Sequence, residues 1–407
     1  MADALVALGV AGVHPAQLRF VREGGGGGLP LHRLRDPAGR AVGDEPGPRG
    51  LMAVLGSHRL RVILTFGGTP SGLGPLAVAL LDHPRFGTLL DFDAMLAEAH
   101  ARGLKVLLDF VPNHTSDRHP WFEASRSGRT GPYADWYLWA DSPGRTLLGR
   151  RRPPNNWRSW FGGSAWAWDE GRGQFYMHTF LPEQPDLNWR NPAVRAALLD
   201  VVRTWLDRGV DGFRLDVFNV YLKDAALRSN PWRIGGRGRW SWQRHLHDRD
   251  QPDLEEALAE LRAVVDSRPG RMTVGELFDG SAHDAARHSA PRHLIFDWAL
   301  MGRRWSAAAF AASITAREAA FGPDTWPANA LSNHDQPRHA SRFDVPGGSS
   351  PGGVGDARAK VAAALLLTLR GTPFLYYGDE IALPDVPQDA ATALDPVARR
   401  TGDPSRN

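Results

Sequence analysis

The segment NPAVRAALLDVVRTWLDRGVDGFRLDV, residues 191–217, contains the unit that decides the predicted fold. Residues 193–207 have the apolar spacing of an amphipathic helix, and residues 210–217 then form the apolar stretch typical of a buried strand. The same unit recurs along the chain from about residue 83. Strands that alternate with helices predict a parallel sheet, and many repeats favour a closed β/α barrel over an open sheet.

The other units extend this prediction over most of the chain. Further helices are predicted at residues 92–101 and 254–265. The remaining predicted strands are short apolar stretches at residues 104–109, 272–277, 293–296, 328–332 and 373–377. We therefore predict an α/β protein with a (β/α)8 barrel, also called a TIM barrel.

Residues 1–82 do not follow this pattern. They contain a run of glycines at residues 24–28 and further Pro/Gly-rich stretches, which resist regular structure. A strand fits residues 60–66, and another element fits residues 5–13. We therefore expect the first two β/α units of the barrel to be degenerate.

Residues 113–182 interrupt the alternation and are rich in Pro, Gly, Arg and Trp. They predict a small subdomain inserted after the third barrel strand. The barrel then comprises residues 83–112 and 183–390, and a C-terminal tail covers residues 391–407. The tryptophans of the insertion either line a ligand-binding rim, because ring faces stack on apolar ligand faces, or form the insertion's own core.

Composition excludes several classes of protein. The chain has 48 basic and 45 acidic residues, a net charge of +3, and no dense basic run of the kind that binds nucleic acid. Cysteine is absent, which excludes disulfides and thiolate metal sites. No apolar run reaches the length of a membrane span and no secretion signal is evident. We therefore expect a cytoplasmic protein without a membrane or nucleic-acid partner.

Polar and titratable residues follow four of the predicted strands. The segments are DFVPNH at residues 109–114, GFRLD at 212–216, VGEL at 274–277 and SNHD at 332–335. In a β/α barrel the carboxyl ends of the strands converge on one face, where active sites lie. Four such strand ends with acidic, histidine or arginine side chains therefore predict a single site.

Arg214 and Asp216 are two residues apart on one strand, so their side chains share a face. A guanidinium favours the ionised form of a neighbouring carboxylate, which suits a nucleophile, although a structural ion pair explains the pattern equally well. Glu276 follows an apolar strand, where burial favours the protonated form that a general acid needs. His114 and His334 lie beside these strand ends and either bind ligand hydroxyls or are structural.

The four strand-end segments resemble, in order, the four signature regions of the α-amylase family, glycoside hydrolase family 13. QPDLN at residues 184–188 resembles the additional signature of its oligo-1,6-glucosidase and α-glucosidase branch. HPRFGT at residues 83–88 and FLYYG at residues 374–378 are similar to the same branch. The resemblance covers about residues 83–400.

This resemblance implies a double displacement with retention of configuration. Asp216 would be the nucleophile, Glu276 the general acid/base and Asp335 the third carboxylate, which favours the distorted transition state. The residues that would bind the first sugar are Asp109, His114, Arg214 and His334.

The implied activity is that of a retaining α-glucosidase, which hydrolyses terminal α-linked glucose from short oligosaccharides. The segment at residues 184–188 favours this activity over that of a long-chain amylase. An α-glucosyl transferase or isomerase of the sucrose or trehalose type uses the same carboxylates, and a non-catalytic relic of the fold is a further alternative. The expected partner is a small oligosaccharide, and the sequence does not indicate an oligomeric state.

The chain departs from the family pattern near both ends of the predicted barrel. It lacks the strand that ends in Tyr-Pro-Arg-Ser-Phe, the Asp-rich loop and the Gly-Tyr-Asp-Val segment, and the predicted barrel ends without the family's C-terminal β-sandwich. We therefore expect this polypeptide to be poorly active and poorly stable, because an incomplete barrel exposes strand edges.

No cofactor and no required metal are expected. The chain has no His-Glu-x-x-His motif, no phosphate-binding loop and no Gly-x-Ser-x-Gly motif. Many members of the family hold calcium beside the residue that matches Asn113. The position after the predicted nucleophile strand, Phe218-Asn219, lacks the Lys/His-type pattern of the calcium-dependent amylases.

Overall fold

The structure is a computed structural model that describes residues 19–22, 32–35, 51–56, 59–64, 88–235, 240–289, 292–344 and 354–386. The element predicted at residues 5–13 and the tail predicted at residues 391–407 lie outside the described residues.

The described strands, in chain order, are β1 (Arg19–Arg22), β2 (His32–Arg35), β3 (Leu51–Gly56), β4 (Arg59–Leu64), β5 (Lys105–Phe110), β6 (Trp139–Ala140), β7 (Trp166–Asp169), β8 (Gln174–Met177), β9 (Gly212–Leu215), β10 (Met272–Gly275), β11 (Leu294–Asp297), β12 (Ala328–Ala330) and β13 (Thr372–Tyr376). The described helices are α1 (Leu89–Ala101), α2 (Pro120–Arg126), α3 (Pro192–Asp207), α4 (Leu254–Asp266), α5 (Ala282–Arg287), α6 (Ala307–Phe321), α7 (His339–Arg342) and α8 (Val354–Thr368). None of these described helices is long and apolar enough to cross a membrane.

Eight of the described strands close into a barrel, in the order β3, β4, β5, β9, β10, β11, β12 and β13. From β4 to β13 each strand runs parallel to the next, as the alternation of helices and strands predicts. The barrel prediction is therefore confirmed. The six strands predicted beyond residue 83 lie within two residues of their predicted bounds.

The first strand of the barrel departs from the parallel arrangement. β3 is antiparallel to β13 on one side and to β4 on the other. Only two residues separate β3 from β4, too few for the crossover that parallel neighbours require. A hairpin therefore supplies both strands, and β4 continues in parallel with β5.

Local sequence determines where the helices around the barrel begin. The side chain of Thr88 accepts a hydrogen bond from the amide of Asp91, whose own side chain accepts one from the amide of Thr88, so α1 starts with a capping box. α3 is capped by Asn191 and begins at Pro192, whose fixed φ suits a first helical position. The buried side of α3, which includes Trp205, packs into the apolar layer between helices and barrel.

Side chains of the barrel strands alternate between two cores, as the strand period of two requires. Val106 and Leu108 of β5 pack beneath the helices, whereas Leu107 belongs to a second core inside the barrel. Asp109 therefore continues the inward face of β5 at its carboxyl end. The same alternation gives an inward face to Arg214, Asp216 and Glu276.

Two glycines allow β9 and β10 to approach their neighbours closely. A Cβ at Gly212, where φ is +153°, would lie 1.9 Å from the carbonyl oxygen of Met272. A Cβ at Gly275 would lie 2.8 Å from a ring carbon of Phe218. The close packing of the strands that lead to Asp216 and Glu276 therefore depends on glycine at both positions.

Between β5 and α3 the chain forms a separate antiparallel sheet with the strand order β6–β8–β7. Trp157 and Trp166 stack there with ring centroids 5.9 Å apart, and they belong to a small core with Phe175. Trp160, in contrast, is 41% exposed. Trp157 and Trp166 therefore form part of the insertion's own core, and Trp160 lies outside that core.

Candidate active site

The guanidinium of Arg214 lies buried at the centre of the candidate site. Its Nη1 donates a hydrogen bond to Asp109 Oδ1 at 2.6 Å and lies 2.7 Å from Asp216 Oδ1. Its Nη2 contacts the carboxylate of Glu276. Three of the acidic residues predicted for the site therefore meet at one cation, whereas the sequence predicts only the pair with Asp216.

The barrel backbone sets the positions of the two carboxylates beyond the strand ends. The amide of Asp216 donates to the carbonyl of Phe110 at 3.0 Å, and the amide of Glu276 donates to the carbonyl of Leu215 at 2.8 Å. One backbone hydrogen bond to a neighbouring strand thus holds each of the two residues just beyond the strand ends. The backbone from which each carboxylate side chain extends is therefore fixed.

Burial raises the pKa of Asp216 to about 6. Arg214 favours the ionised form, as the sequence predicts, but burial outweighs it, and the charges of Asp109 and Asp335 raise the pKa further. Asp216 is still mostly ionised at pH 7. This carboxylate therefore combines ionisation at neutral pH with a partly desolvated position.

Asp335 and His334 follow β12 and lie in a more open position than the other site residues. The carboxylate of Asp335 is 3.5 Å from Nε2 of His334, and the Asp335 side chain is 61% exposed. Burial is the largest cause of the raised pKa of Asp216, and the negative charge of Asp335 is one of the smaller causes. The carboxylates of Asp335 and Asp216 are therefore close enough to interact electrostatically.

His114, which follows β5, is buried. The amide nitrogen of Gln184 lies 3.0 Å from His114 Nε2, and the side-chain nitrogen of Asn113 lies 3.3 Å from Nδ1. Burial lowers the pKa of His114 to about 4, so the imidazole is neutral at pH 7. A neutral ring has one donor and one acceptor nitrogen, and the Gln184 contact orients it.

Lys223 carries a buried ammonium next to this histidine. Its Nζ donates to Asn113 Oδ1 at 2.8 Å and lies 2.6 Å from Asp186 Oδ2. Asp186, which is fully buried, also accepts hydrogen bonds from the amide and hydroxyl of Thr179. The chain thus places its own cation beside Asn113. In the described part of the chain, no group of three or more His, Cys, Asp or Glu side chains is arranged to hold a metal ion.

The sequence prediction does not include Lys223. Its partners Asn113 and Asp186 are distant in sequence, so the pair cannot be seen from local spacing. A signal was nevertheless present, because lysine accounts for only three of the 48 basic residues and one of these lysines follows the strand that leads to Asp216.

Aromatic rings form a rim beside Glu276. Phe278, two residues beyond Glu276, contacts Trp160 and Phe180 with ring centroids 4.7 Å and 5.5 Å apart. Trp240 packs against both Trp160 and Phe278. Rings from the insertion and from the segment after β10 therefore pack against one another.

The fold and the site define a β/α-barrel protein with a pair of carboxylates at the carboxyl ends of neighbouring strands, the arrangement that barrel glycosidases use. Residues 82–407 match the family model for the alpha-amylase catalytic domain. The chain belongs to the α-amylase family, which confirms the resemblance predicted from the four strand-end segments.

Two named relatives and one solved structure are similar to the chain over about three quarters of its length. The chain is 43% identical over 330 residues to a probable α-glucosidase of Rhizobium meliloti (strain 1021), covering 77% of this chain and 58% of the relative. It is 36% identical over 316 residues to an oligo-1,6-glucosidase of Parageobacillus thermoglucosidasius, covering 74% and 54%. The crystal structure of the α-glucosyl transfer enzyme XgtA is similar, with a TM-score of 0.70 and 39% identity over 79% of this chain and 60% of that one. The chain therefore spans little more than half the length of the curated relatives that it matches.

Proposed function

We propose that this chain is a retaining α-glucosidase that hydrolyses terminal α-linked glucose from short oligosaccharides. The observation that carries the proposal is the contact of Asp216 and Glu276 with the two terminal nitrogens of one guanidinium, that of Arg214. Carboxyl groups bound in this way lie close together, and retaining glycosidases need a separation of about 5–5.5 Å. The names of the relatives from Rhizobium meliloti and Parageobacillus thermoglucosidasius support the choice of substrate.

In the first step, a carboxylate oxygen of Asp216 attacks the anomeric carbon and forms a glucosyl ester. The bond between that carbon and the leaving oxygen breaks, and Glu276, which must carry a proton for this step, gives that proton to the leaving oxygen. In the second step, the Glu276 carboxylate takes a proton from water. The water oxygen attacks the anomeric carbon, Asp216 leaves, and the configuration is retained.

The remaining site residues are proposed to hold the sugar. Asp335, in its more open position, would accept hydrogen bonds from ring hydroxyls and favour the distorted transition state. His114 would contribute a neutral donor or acceptor, and His334 a further polar contact at the open side. Arg214 and Asp109 would keep the reacting carboxylates in place and contact the sugar from the barrel floor.

The proposal is tested by product analysis. The purified chain is incubated with maltose, isomaltose, sucrose and trehalose, and the products are separated by chromatography. Free glucose is expected as the predominant product. A predominance of isomers or of longer glucosides would contradict the hydrolase proposal.

An α-glucosyl transferase or isomerase is the second candidate. Its support is the similarity to XgtA and to the trehalulose synthase MutB from Pseudomonas mesoacidophila MX-45, the latter with a TM-score of 0.65 and 33% identity. The aromatic rim of Trp160 and Phe278 would bind a sugar acceptor that competes with water. The same product analysis separates the two candidates.

The acid side of the pH profile is expected to follow Asp216. Burial raises its pKa to about 6, and the nucleophile acts only when ionised, so kcat/KM should fall about tenfold per pH unit below about pH 6. The measurement is kcat/KM between about pH 4 and pH 8, with the folded fraction checked at each pH. A profile that stays flat down to about pH 4 would be inconsistent with this assignment.

Chelation is expected to leave the activity and the melting temperature unchanged, because the ammonium of Lys223 already neutralises the buried Asp186 beside Asn113. The chain is assayed and melted before and after dialysis against EDTA. Complete loss of activity that calcium restores would show that a metal is required.

We also infer the setting in which the chain works. A small oligosaccharide is its proposed partner, and a chain without cysteine does not depend on an oxidising compartment, which agrees with the cytoplasm predicted from the sequence. The proposed domain boundaries remain those of the sequence prediction, with the insertion at residues 113–182.

A further inference from the structure

Asn219 joins the segment after β9 to the segment after β10. Its side chain is buried. Its Oδ1 accepts a hydrogen bond from the amide of Phe278 at 2.8 Å, and its Nδ2 donates to the carbonyl of Phe278 at 3.0 Å. One side-chain amide therefore pairs with both backbone polar groups of a residue two positions beyond Glu276.

The hydrogen bonds between Asn219 and Phe278 lie just beyond the point where the pairing of β9 with β10 ends. The last paired residues of β9 and β10 are Leu215 and Gly275. Beyond them Val217 has φ of +38° and Asp279 has φ of +48°, so neither segment continues as a strand. The amide of Phe218 still donates to the carbonyl of Glu276 at 3.2 Å. Asn219 then supplies the next two hydrogen bonds between the segments from its side chain.

The segment around Arg249 also forms hydrogen bonds with the segments that contain Asn219 and Phe278. The carbonyl of Asn219 accepts a hydrogen bond from the amide of Asp250 at 2.8 Å. Arg249 Nη1 donates to the carbonyls of Phe278 and Asp279 at 3.2 Å and 2.8 Å. The hydrogen bond between the Asn219 carbonyl and the Asp250 amide therefore fixes the backbone of Asn219. The Asn219 side chain in turn holds the residues that follow Glu276.

We propose that Asn219 is a positioning residue that sets the Glu276 carboxyl relative to Asp216. The inference rests on the proposed function, because it assigns proton transfer to Glu276. The amide pair bridges the two segments that begin with the reacting carboxylates, so its loss lets the Glu276 segment move away from Asp216. A shift of about 1 Å at a reacting group costs a rate factor of roughly 100.

The test compares two substrates of Asn219→Ala. α-Glucosyl fluoride loses fluoride without needing a proton, whereas maltose or isomaltose needs Glu276 to protonate the leaving oxygen. kcat/KM reports the first, glucosyl-transferring step for both. We expect Asn219→Ala to lower kcat/KM for the disaccharide by about tenfold or more relative to the loss for the fluoride. A merely structural residue would lower both values by the same factor.

A matched control and a direct probe accompany this comparison. Asn230 is buried, and its Oδ1 accepts hydrogen bonds from the amides of Leu246 and His247, each at 3.0 Å. Asn230→Ala removes a similar bridge away from the carboxylates and should show no discrimination between the substrates. Hydrogen exchange at the amide of Phe278 should accelerate in Asn219→Ala and not in Asn230→Ala.

Glu276→Gln, assayed in the same way, separates the inference from the proposed function. If Glu276→Gln discriminates between the substrates but Asn219→Ala does not, the positioning role is overturned and the function stands. If Glu276→Gln loses both activities equally, or the unmodified chain turns over neither substrate, the proposed function fails and the inference with it. If Asn219→Ala does not fold, Arg249→Met takes its place, and equal losses on both substrates would again overturn the inference.

Discussion

Replacement of Asp216 by asparagine is expected to lower kcat/KM on a glucoside substrate by about 10⁴-fold or more, while the protein remains folded. The amide has nearly the shape of the carboxylate but cannot form the glucosyl ester. Arg214 keeps two of its acidic partners, Asp109 and Glu276, so the buried guanidinium is not left without compensation. Turnover and thermal melting are measured on the same preparation.

Asp211→Asn is the matched control for this prediction. Asp211 directly precedes β9, is buried, and lies 2.8 Å from Nη1 of Arg271, so it is also an aspartate paired with an arginine. It stands at the amino end of the strand, opposite the candidate site. Its replacement should lower the melting temperature but change kcat/KM of the folded protein by less than about threefold.

The comparison also decides between the proposed function and its structural alternatives. An ion pair without a chemical role would make the Asp216 and Asp211 variants alike, with a loss of stability and little change in turnover. Activity that survives Asp216→Asn would show that the nucleophile is assigned wrongly. An unmodified chain without any activity on glucosides would favour the relic of the fold.

The sequence predicts those parts of the fold that depend on local spacing. The helix and strand of residues 191–217 appear as α3 and β9, because the helical spacing and the apolar strand lie within one short segment. β3 is different. Its place in the barrel depends on pairing with β13, near the other end of the described chain, and no local pattern reveals a long-range partner or an antiparallel direction.

In the candidate site, too, some features can be predicted from local sequence and others cannot. Asp109, Arg214 and Glu276 can be placed together from the sequence because each ends an apolar strand and barrel strand ends converge. The sharing of one guanidinium by three carboxylates cannot be predicted, since it depends on the register between strands. The raised pKa of Asp216 has a similar origin, because burial by the surrounding chain is not visible in the neighbouring residues.

Lys223→Met is expected to lower the free energy of unfolding by about 3–5 kcal/mol, the usual cost of leaving a buried charge without its partner. The side chains of Lys223 and Asp186 are 1% and 0% exposed, so no solvent replaces the lost ammonium. Methionine keeps the length of the lysine stem, which limits the loss of packing. Unfolding is followed by urea denaturation and by thermal melting.

Lys105→Met provides the control, because Lys105 pairs with Asp211 at 2.9 Å but is 35% exposed. Asp211 also keeps Arg271 as a partner, so this variant should lose about 1 kcal/mol or less. If an unpaired charge causes the larger loss, adding Asp186→Asn to Lys223→Met should recover part of it, because the asparagine amide no longer carries the charge. Equal losses in Lys105→Met and Lys223→Met, or no recovery in the double variant, would show that the buried ammonium is not what stabilises this part of the barrel.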